Sequence, residues 1–359
     1  MSIHFSPDQW EQVRHSYRGW WDGTLKRPLV KTAVRCHSPN RHAPKVPFPE
    51  QDNCHDFSIP AEAVIDAVDY ELSQFEFMGD SFPQMNFSYF GPGVLAAFCG
   101  AKLDNSSGRV WFFPQEKKPI EEISIRYDPQ NPWVLRIKDL YRAGMERWNG
   151  NVLMGMPDLG GIMDVVASFR ESEQLLFDLY DAPEEVLRLC KEAHTAWMEA
   201  YRDLRAVLDQ KNPGYSDWSG VYSELPSYIL QCDFCYMLGN PMFREFVLPD
   251  IIQGCRNLSN TIYHLDGIGQ LNHLDDILNI PELNAVQWVY GDGQPTAPHW
   301  LEIYRKISAA GKGIYLNCNR SDFEIVQREV PNGRYFIQLG ASTPEEARQM
   351  LKELGVLQN

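Results

Sequence analysis

The chain has 359 residues, a length typical of either two domains or one α/β barrel. Its formal net charge of −15 disfavours nucleic acid and anionic membranes as partners, because both attract basic protein surfaces. The hydrophobic stretches are short, the first residues lack an apolar signal-peptide core and the eight cysteines are scattered, so we expect no membrane span and a cytoplasmic location.

Short apolar segments alternate with longer helical ones along the chain, which indicates βα units and a parallel sheet. Strands are predicted at residues 27–34, 83–90, 151–157, 212–218, 260–266, 284–290, 312–318 and 334–340. Eight alternations, with no Gly-rich phosphate turn after an early strand, favour a (β/α)8 TIM barrel over a doubly wound sheet. We therefore expect a single α/β domain over residues 1–359, with 91–150 as an insertion near the barrel mouth.

Two segments have clear signals of helix boundaries. The segment 182–210 has Pro183 at its first helical position, acidic residues after it and apolar residues at helical spacing. The segment 343–354 begins at Thr343 with a capping-box pattern. Both segments are therefore predicted to be helices.

A histidine and an aspartate end the strand predicted at 260–266. Strand alternation places His264 and Asp266 on one face, about 6–7 Å apart at Cα, and Gly267 then ends the strand. Because TIM-barrel enzymes have their active sites at the C-terminal ends of the strands, both side chains are predicted to project into the barrel mouth. There they are candidates for acid–base catalysis or for metal binding.

The segment that follows, QLNHLDDILNI at 270–280, has apolar residues at helical spacing and is predicted to be an amphipathic helix. Its polar residues His273, Asp275 and Asp276 are expected on the solvated face, since acidic residues are common in a first helical turn. We therefore expect them outside the site.

Other residues at or near strand ends are candidates for substrate binding. They are Asp217, Trp218, Tyr222, Tyr263, Trp288, Asn317 and Gln338. The aromatic members carry flat apolar faces, several with a polar group, which suit stacking against an organic or sugar-like ligand.

The stretch QCDFC at 231–235 contains one CxxC pattern, which alone is weak evidence for a metal or redox site. Cys232 and Cys235 are predicted to pack in a loop that leads into a helix. Asp233 between them is of more interest, and together with Glu224 it is a candidate for general acid–base catalysis.

Four stretches resemble the uroporphyrinogen decarboxylase-like superfamily, which also contains corrinoid-dependent methyltransferases. They are YRGWWDGTLKRPLV, MPDLGGIMDVVASFRESEQLLFDLYDAPEEV, CDFCYMLGNPMFREFVLPDI and YHLDG. The resemblance implies a (β/α)8 barrel. The decarboxylases carry an Arg-rich loop after the first strand, whereas this chain reads VRCHSPNRH there, which disfavours haem-pathway decarboxylation.

In the methyltransferases that the chain resembles, a His-x-Cys pair and a later Cys bind zinc, which activates a thiol acceptor. His264 matches the histidine, and Asp266 stands in place of the first cysteine. The C-terminal stretch QLGASTPEE contains no cysteine, so Cys318 is the candidate third ligand. The alternative is that Cys318 is a small buried apolar residue.

The resemblance implies a methyltransferase that acts on a small molecule, with zinc as a candidate metal and a corrinoid protein as a candidate partner. A homodimer is also compatible with the sequence. One alternative is a lyase or hydrolase that acts on an aromatic or sugar-like substrate through His/Asp acid–base chemistry. Another is a barrel without catalytic activity that binds a ligand or a corrinoid partner. Metal content separates the methyltransferase from the lyase or hydrolase, and any turnover excludes the barrel without catalytic activity.

Overall fold

A computed structural model describes residues 3–357 of the chain. The helices in this range are α1 Pro7–Trp21, α2 Ala61–Leu72, α3 Leu95–Phe98, α4 Pro132–Trp148, α5 Ile162–Arg170, α6 Ser172–Asp181, α7 Pro183–Leu208, α8 Asn240–Phe246, α9 Leu248–Asn257, α10 Leu274–Leu278, α11 Leu301–Ala309, α12 Arg320–Glu329 and α13 Pro344–Glu353. The strands are β1 Leu29–Arg35, β2 Phe75–Gly79, β3 Gln84–Met85, β4 Lys102–Asp104, β5 Trp111–Phe113, β6 Leu153–Met154, β7 Ser227–Gln231, β8 Asn260–Asp266, β9 Ala285–Val289, β10 Gly313–Leu316 and β11 Arg334–Gln338.

Seven strands form the central sheet in the order β2-β1-β11-β10-β9-β8-β7. Neighbouring strands are parallel except β1 and β2, which pair antiparallel. The short strands β3 and β6 form a separate parallel pair. The α/β class and the mainly parallel sheet therefore agree with the prediction, but the sheet does not close within residues 3–357, so the predicted eight-stranded barrel is not confirmed.

The predicted fourth strand does not form, because side chains take the hydrogen bonds that a strand ladder would use. The Asp217 carboxylate accepts from the backbone N–H of Ile229 at 2.7 Å and of Ser219 at 2.8 Å. The Asn212 side chain accepts from the backbone N–H of Met154 and donates to its C=O. These side chains form the hydrogen bonds that the buried backbone groups need, so no pairing with a neighbouring strand is required.

The predicted insertion at 91–150 has two parts. Strands β4 and β5 form an antiparallel hairpin. Helix α4 instead packs against α2 and α7, and its Tyr141 hydroxyl donates to the backbone C=O of Gly155 beside β6. Helix α4 therefore belongs to the helical layer around the sheet. Of the two parts, only the hairpin extends toward the site described below.

The two helices with strong boundary signals are found at their predicted positions. Helix α7 begins at Pro183, and its apolar residues lie on a buried face. Helix α13 is capped by Thr343, whose hydroxyl accepts from the backbone N–H of Glu346 at 3.1 Å. Across residues 3–357, no helix is both long and apolar enough to span a membrane.

Candidate functional site

Three neighbouring parallel strands bring polar side chains together at their C-terminal ends. Gln231 of β7 lies opposite His264 of β8, which in turn lies opposite Gln287 of β9. Asp266 shares the sheet face of His264 because strand side chains alternate. Its Oδ2 lies 3.7 Å from Nε2 of His264. The two residues singled out in the sequence are thus adjacent in the structure, and their chemical role stays a prediction.

The neighbours of His264 fix the orientation of its ring. The side-chain oxygen of Gln287 lies 2.6 Å from Nδ1. An amide oxygen can only accept a hydrogen bond, so Nδ1 carries the hydrogen and Nε2 points toward Asp266. The Trp218 ring meets the imidazole edge-on, with 5.0 Å between the ring centroids. Nε2 is therefore the nitrogen available for a proton or a metal ion.

Asp233, at the start of the 3-10 turn Asp233–Met237 after β7, joins this pair. One ligand atom each from Asp233, His264 and Asp266 lies within 4.8 Å of the other two. We call these three residues the central cluster. One imidazole nitrogen and two carboxylate oxygens fit a divalent cation such as zinc, with a coordination position left open for a substrate.

Cys318 is not part of the central cluster, which corrects the prediction of a His264–Asp266–Cys318 ligand set. Its side chain packs, partly buried, against the hydrophobic core. Burial raises the pKa of this thiol to about 12, so it behaves as a small apolar group. The central cluster therefore offers nitrogen and oxygen ligands without a thiolate.

The charges of the central cluster influence one another. Burial alone would lower the pKa of His264, but Asp266, Asp233 and the hydrogen bond to Gln287 outweigh it and raise that pKa above its usual range. Asp233 has an accessible face, but burial of the rest of its carboxyl raises its pKa; His264 lowers that pKa and Asp266 raises it. Excess negative charge thus favours a bound proton or cation.

Sequence reasoning missed Asp158, which lies four residues after the end of β6. It accepts hydrogen bonds from the backbone N–H of Gly160 at 2.9 Å and from the side chain of Gln231 at 3.2 Å. Burial, followed by the nearby charge of Asp233, raises the pKa of Asp158 to about 7. The rule that strand ends carry the site, applied to the predicted strand 151–157, would have identified it.

Asp164, in the first turn of α5, was also missed. Its carboxylate accepts from the backbone N–H groups of Asp233 and Phe234 at 3.0 and 2.8 Å, so it fixes the turn that carries Asp233. Burial and the neighbouring Asp233 raise the pKa of Asp164. No spacing of residues in the sequence indicates that α5 contacts this turn.

A cavity of about 560 Å³ opens beside the central cluster. Asp233, Asp164 and Gln231 lie in its wall. The opposite wall is formed by the hairpin β4–β5, with Trp111 and Phe113 largely exposed. Acidic groups on one side and aromatic rings on the other suit a small organic molecule with an apolar part and a polar or cationic part.

Three aromatic residues predicted to stack against a substrate are fully buried, which corrects that prediction. Tyr222 packs among the rings of α1 and Phe82, while Trp288 packs against Trp300. The hydroxyl of Tyr263 lies near Gln270. Of the predicted aromatic residues, Trp218 is the one that contacts His264.

The remaining predicted site residues have other surroundings. Glu224 forms an ion pair with Arg18 at 2.8 Å and is not part of the central cluster, which corrects its assignment as an acid–base group. Asp217 is a buried acceptor for backbone N–H groups, as described above. Asn317 and Gln338 are exposed, and their predicted contact with substrate stays untested.

The prediction that His273 lies on a solvated face is wrong. Its ring is fully buried, stacks on Phe243 with 4.1 Å between centroids, and has Nε2 3.1 Å from the backbone C=O of Cys235. The segment 268–273 is a 3-10 turn, and its geometry rotates His273 inward before α10 begins. Asp275 and Asp276 form ion pairs with Lys306 and Arg244, and Asp275 is exposed as predicted.

The two cysteines of the CxxC pattern are both buried, as expected for packing residues. Burial raises the pKa of Cys232 well above its usual value. Cys235 lies with its Sγ 3.8 Å from the Tyr263 hydroxyl.

Comparisons with known proteins identify the fold. No protein-family model matches the sequence, and a search of curated proteins finds no match. Among solved structures, the chain is similar to a methyltransferase from Methanosarcina mazei, with a TM-score of 0.60 and 12% sequence identity. The similarity covers 95% of this chain and 97% of the other. At this level of identity it shows a shared fold.

Proposed function

We propose that this chain is a methyltransferase that moves a methyl group between a small molecule and a corrinoid carried by a partner protein. The observation that carries the proposal is the convergence of Asp233, His264 and Asp266 beside a cavity with an aromatic wall. The name of the similar solved structure, a methyltransferase from Methanosarcina mazei, points in the same direction. The family resemblance of the sequence supplies the corrinoid as methyl carrier.

The central cluster is the proposed site for a divalent cation such as zinc. When bound, such a cation lowers the pKa of a coordinated acceptor and so increases its nucleophilicity. Gln287 supports this role because its hydrogen bond to Nδ1 leaves Nε2 of His264 free for ligation. With no cysteine in the central cluster, the ligands differ from the thiolate set of the methyltransferases that the chain resembles.

Asp158 is the proposed group that receives the proton of the acceptor. With a pKa of about 7, its carboxyl can hold or release a proton near neutral pH. In the methyl-transfer step, the acceptor loses its proton to Asp158, and its freed electron pair forms the new bond to carbon. The bond between the methyl group and its carrier breaks, and that electron pair stays on the carrier.

A second candidate is a metal-free lyase or hydrolase. The specific observation in its favour is that the pKa of His264 is raised above its usual range and that of Asp158 is raised to about 7. In this case Nε2 of His264, paired with Asp266, would exchange protons with the substrate directly. The two candidates differ in whether a metal ion is needed.

Anaerobic absorbance spectroscopy with free methylcobalamin as methyl donor tests the proposal. The acceptors are a panel of a thiol, a phenol and an amine. The wild-type protein should convert methylcobalamin to its demethylated form with at least one acceptor, and the rate should fall at least ~100-fold in Asp233→Ala. The Asp275→Ala variant is the matched control, because Asp275 is an exposed aspartate that pairs with Lys306. No demethylation by wild type with any acceptor contradicts methyl transfer and favours the second candidate.

A further inference from the structure

We propose that the end of β1 forms a second metal site, in which Cys36, His37 and Glu76 bind a zinc-class divalent cation. One ligand atom from each residue lies within 4.8 Å of the other two. We call these three residues the edge cluster. It differs from the central cluster in containing a thiol, and none of its residues belongs to the candidate functional site.

The pairing of β1 with β2 creates this arrangement. Glu76 of β2 lies opposite Val34 of β1, so Cys36, two residues further along, projects on the same face as Glu76 at a diagonal position. The backbone N–H groups of Cys36 and His37 both donate to the C=O of Gln74 at 3.0 Å. This shared acceptor holds the chain at the end of β1, so the ligand positions do not depend on a free loop.

The observed distances fit a tetrahedral ion. Sγ of Cys36 lies 3.8 Å from Oε2 of Glu76. Zinc–sulfur and zinc–oxygen bonds of about 2.3 and 2.1 Å at tetrahedral angles place the two ligand atoms about 3.6 Å apart. A shift of a few tenths of an ångström therefore brings them to ligand separation.

The second oxygen of Glu76 already has a partner. Oε1 accepts a hydrogen bond from Arg348 of α13 at 2.8 Å. This contact orients the carboxylate and leaves Oε2 directed at Cys36, which is the kind of outer contact that supports metal ligands. Because Arg348 lies on α13, a cation here also connects the edge strand pair to the C-terminal helix.

His4 lies next to the edge cluster but is not one of its three ligand residues. Its ring centroid lies 5.2 Å from that of His37, and its side chain is exposed. Within residues 3–357, which contain all eight cysteines, Cys36 is the exposed one, so an ion can reach its thiol from solvent. A Cys–His–Glu set is a nitrogen, oxygen and sulfur set of the type that zinc accepts, and it leaves one position of a tetrahedral ion open.

Cobalt(II) spectroscopy on the full chain tests the site. The probe is cobalt chloride added under anaerobic conditions to metal-free protein, because a thiolate ligand gives a charge-transfer band that nitrogen and oxygen ligands do not give. The central cluster has no cysteine and is silent in this band. We expect a saturable charge-transfer band in wild type, abolished by added zinc, and lost in Cys36→Ser. The control Cys318→Ser replaces a half-buried cysteine outside both clusters and should retain the band.

Two further variants keep the test decisive. Glu76→Gln should weaken cobalt binding at least tenfold while the band persists at saturation, because the thiolate still binds. Zinc should raise the melting temperature of His264→Ala, in which the central cluster has lost a ligand, and this rise should be absent from the double variant His264→Ala/Cys36→Ser. The absence of a charge-transfer band in folded wild type overturns the proposal, as does a band of unchanged intensity in Cys36→Ser. Neither result bears on the proposed methyl transfer, which rests on the central cluster.

Discussion

Replacement of Asp266 by asparagine should lower the pKa of His264 in the metal-free protein. The two side chains are 3.7 Å apart, and the Asp266 side chain is 41% exposed, so the effective dielectric constant is about 40–80. Coulomb's law then gives about 1–2 kcal/mol of stabilisation of the imidazolium by Asp266, which the substitution removes. Because asparagine has nearly the same shape, the hydrogen bond between His264 and Gln287 should persist.

An NMR titration of the histidine ring protons measures this pKa directly. The chain has nine histidines, so the His264 resonance is assigned by its disappearance in His264→Gln. The control is Asp275→Asn, which removes an exposed carboxylate that pairs with Lys306. It should leave the His264 titration unchanged. A pKa of His264 that stays the same or rises in Asp266→Asn would refute the geometry described for the central cluster.

Three further changes test the account. His264→Ala and Asp266→Ala should each reduce turnover at least ~100-fold with little change in melting temperature, since both side chains lie at the cavity end of β8; loss of the fold in both would assign them a structural role. Burial lowers the pKa of Lys31 to about 7. Between about pH 7 and 10.5 the unfolded state therefore binds more protons than the folded state, and the free energy of unfolding rises with pH by up to about 1.4 kcal/mol per pH unit. Urea unfolding of Lys31→Met at several pH values should lack this rise. His273→Ala should cost about 2–4 kcal/mol in urea unfolding because it removes a buried ring and its hydrogen bond to the C=O of Cys235, whereas retained stability would contradict its buried position.

The parallel strands with strong β character could be predicted from the sequence. Strand β8 ends at Asp266 as expected, and the strands predicted at 284–290, 312–318 and 334–340 are all present with slightly shorter bounds. These segments are rich in β-branched and aromatic residues and lie between well-marked helices. The local sequence of these segments is therefore sufficient to predict them as strands.

The opposite side of the sheet could not be predicted in the same way. There Asp217 and Asn212 satisfy backbone groups through their side chains, and that exchange depends on contacts between segments far apart in sequence. The short strand β7, SYILQ, was missed although its tyrosine and isoleucine favour a strand more than the asparagine, proline, glycine and aspartate of the segment 212–218 do.

The site was predicted in part. His264 and Asp266 followed from strand alternation, a local rule, and they are adjacent in the structure. Asp233 joins them only through the tertiary fold, and Asp158 was overlooked at the end of a strand that had been predicted. His273 was misplaced because helical periodicity was applied to a 3-10 turn, in which residues rotate by a different angle.

The central claim is that Asp233, His264 and Asp266 form one metal-binding reaction centre. The most direct test is elemental analysis of protein purified without chelator, in a Cys36→Ser background that removes the thiol of the edge cluster. We predict about one equivalent of a divalent transition metal in this protein, and loss of that metal when His264→Ala is added. Retention of the metal after His264→Ala, or its absence from the Cys36→Ser protein even after dialysis against zinc, would contradict the claim.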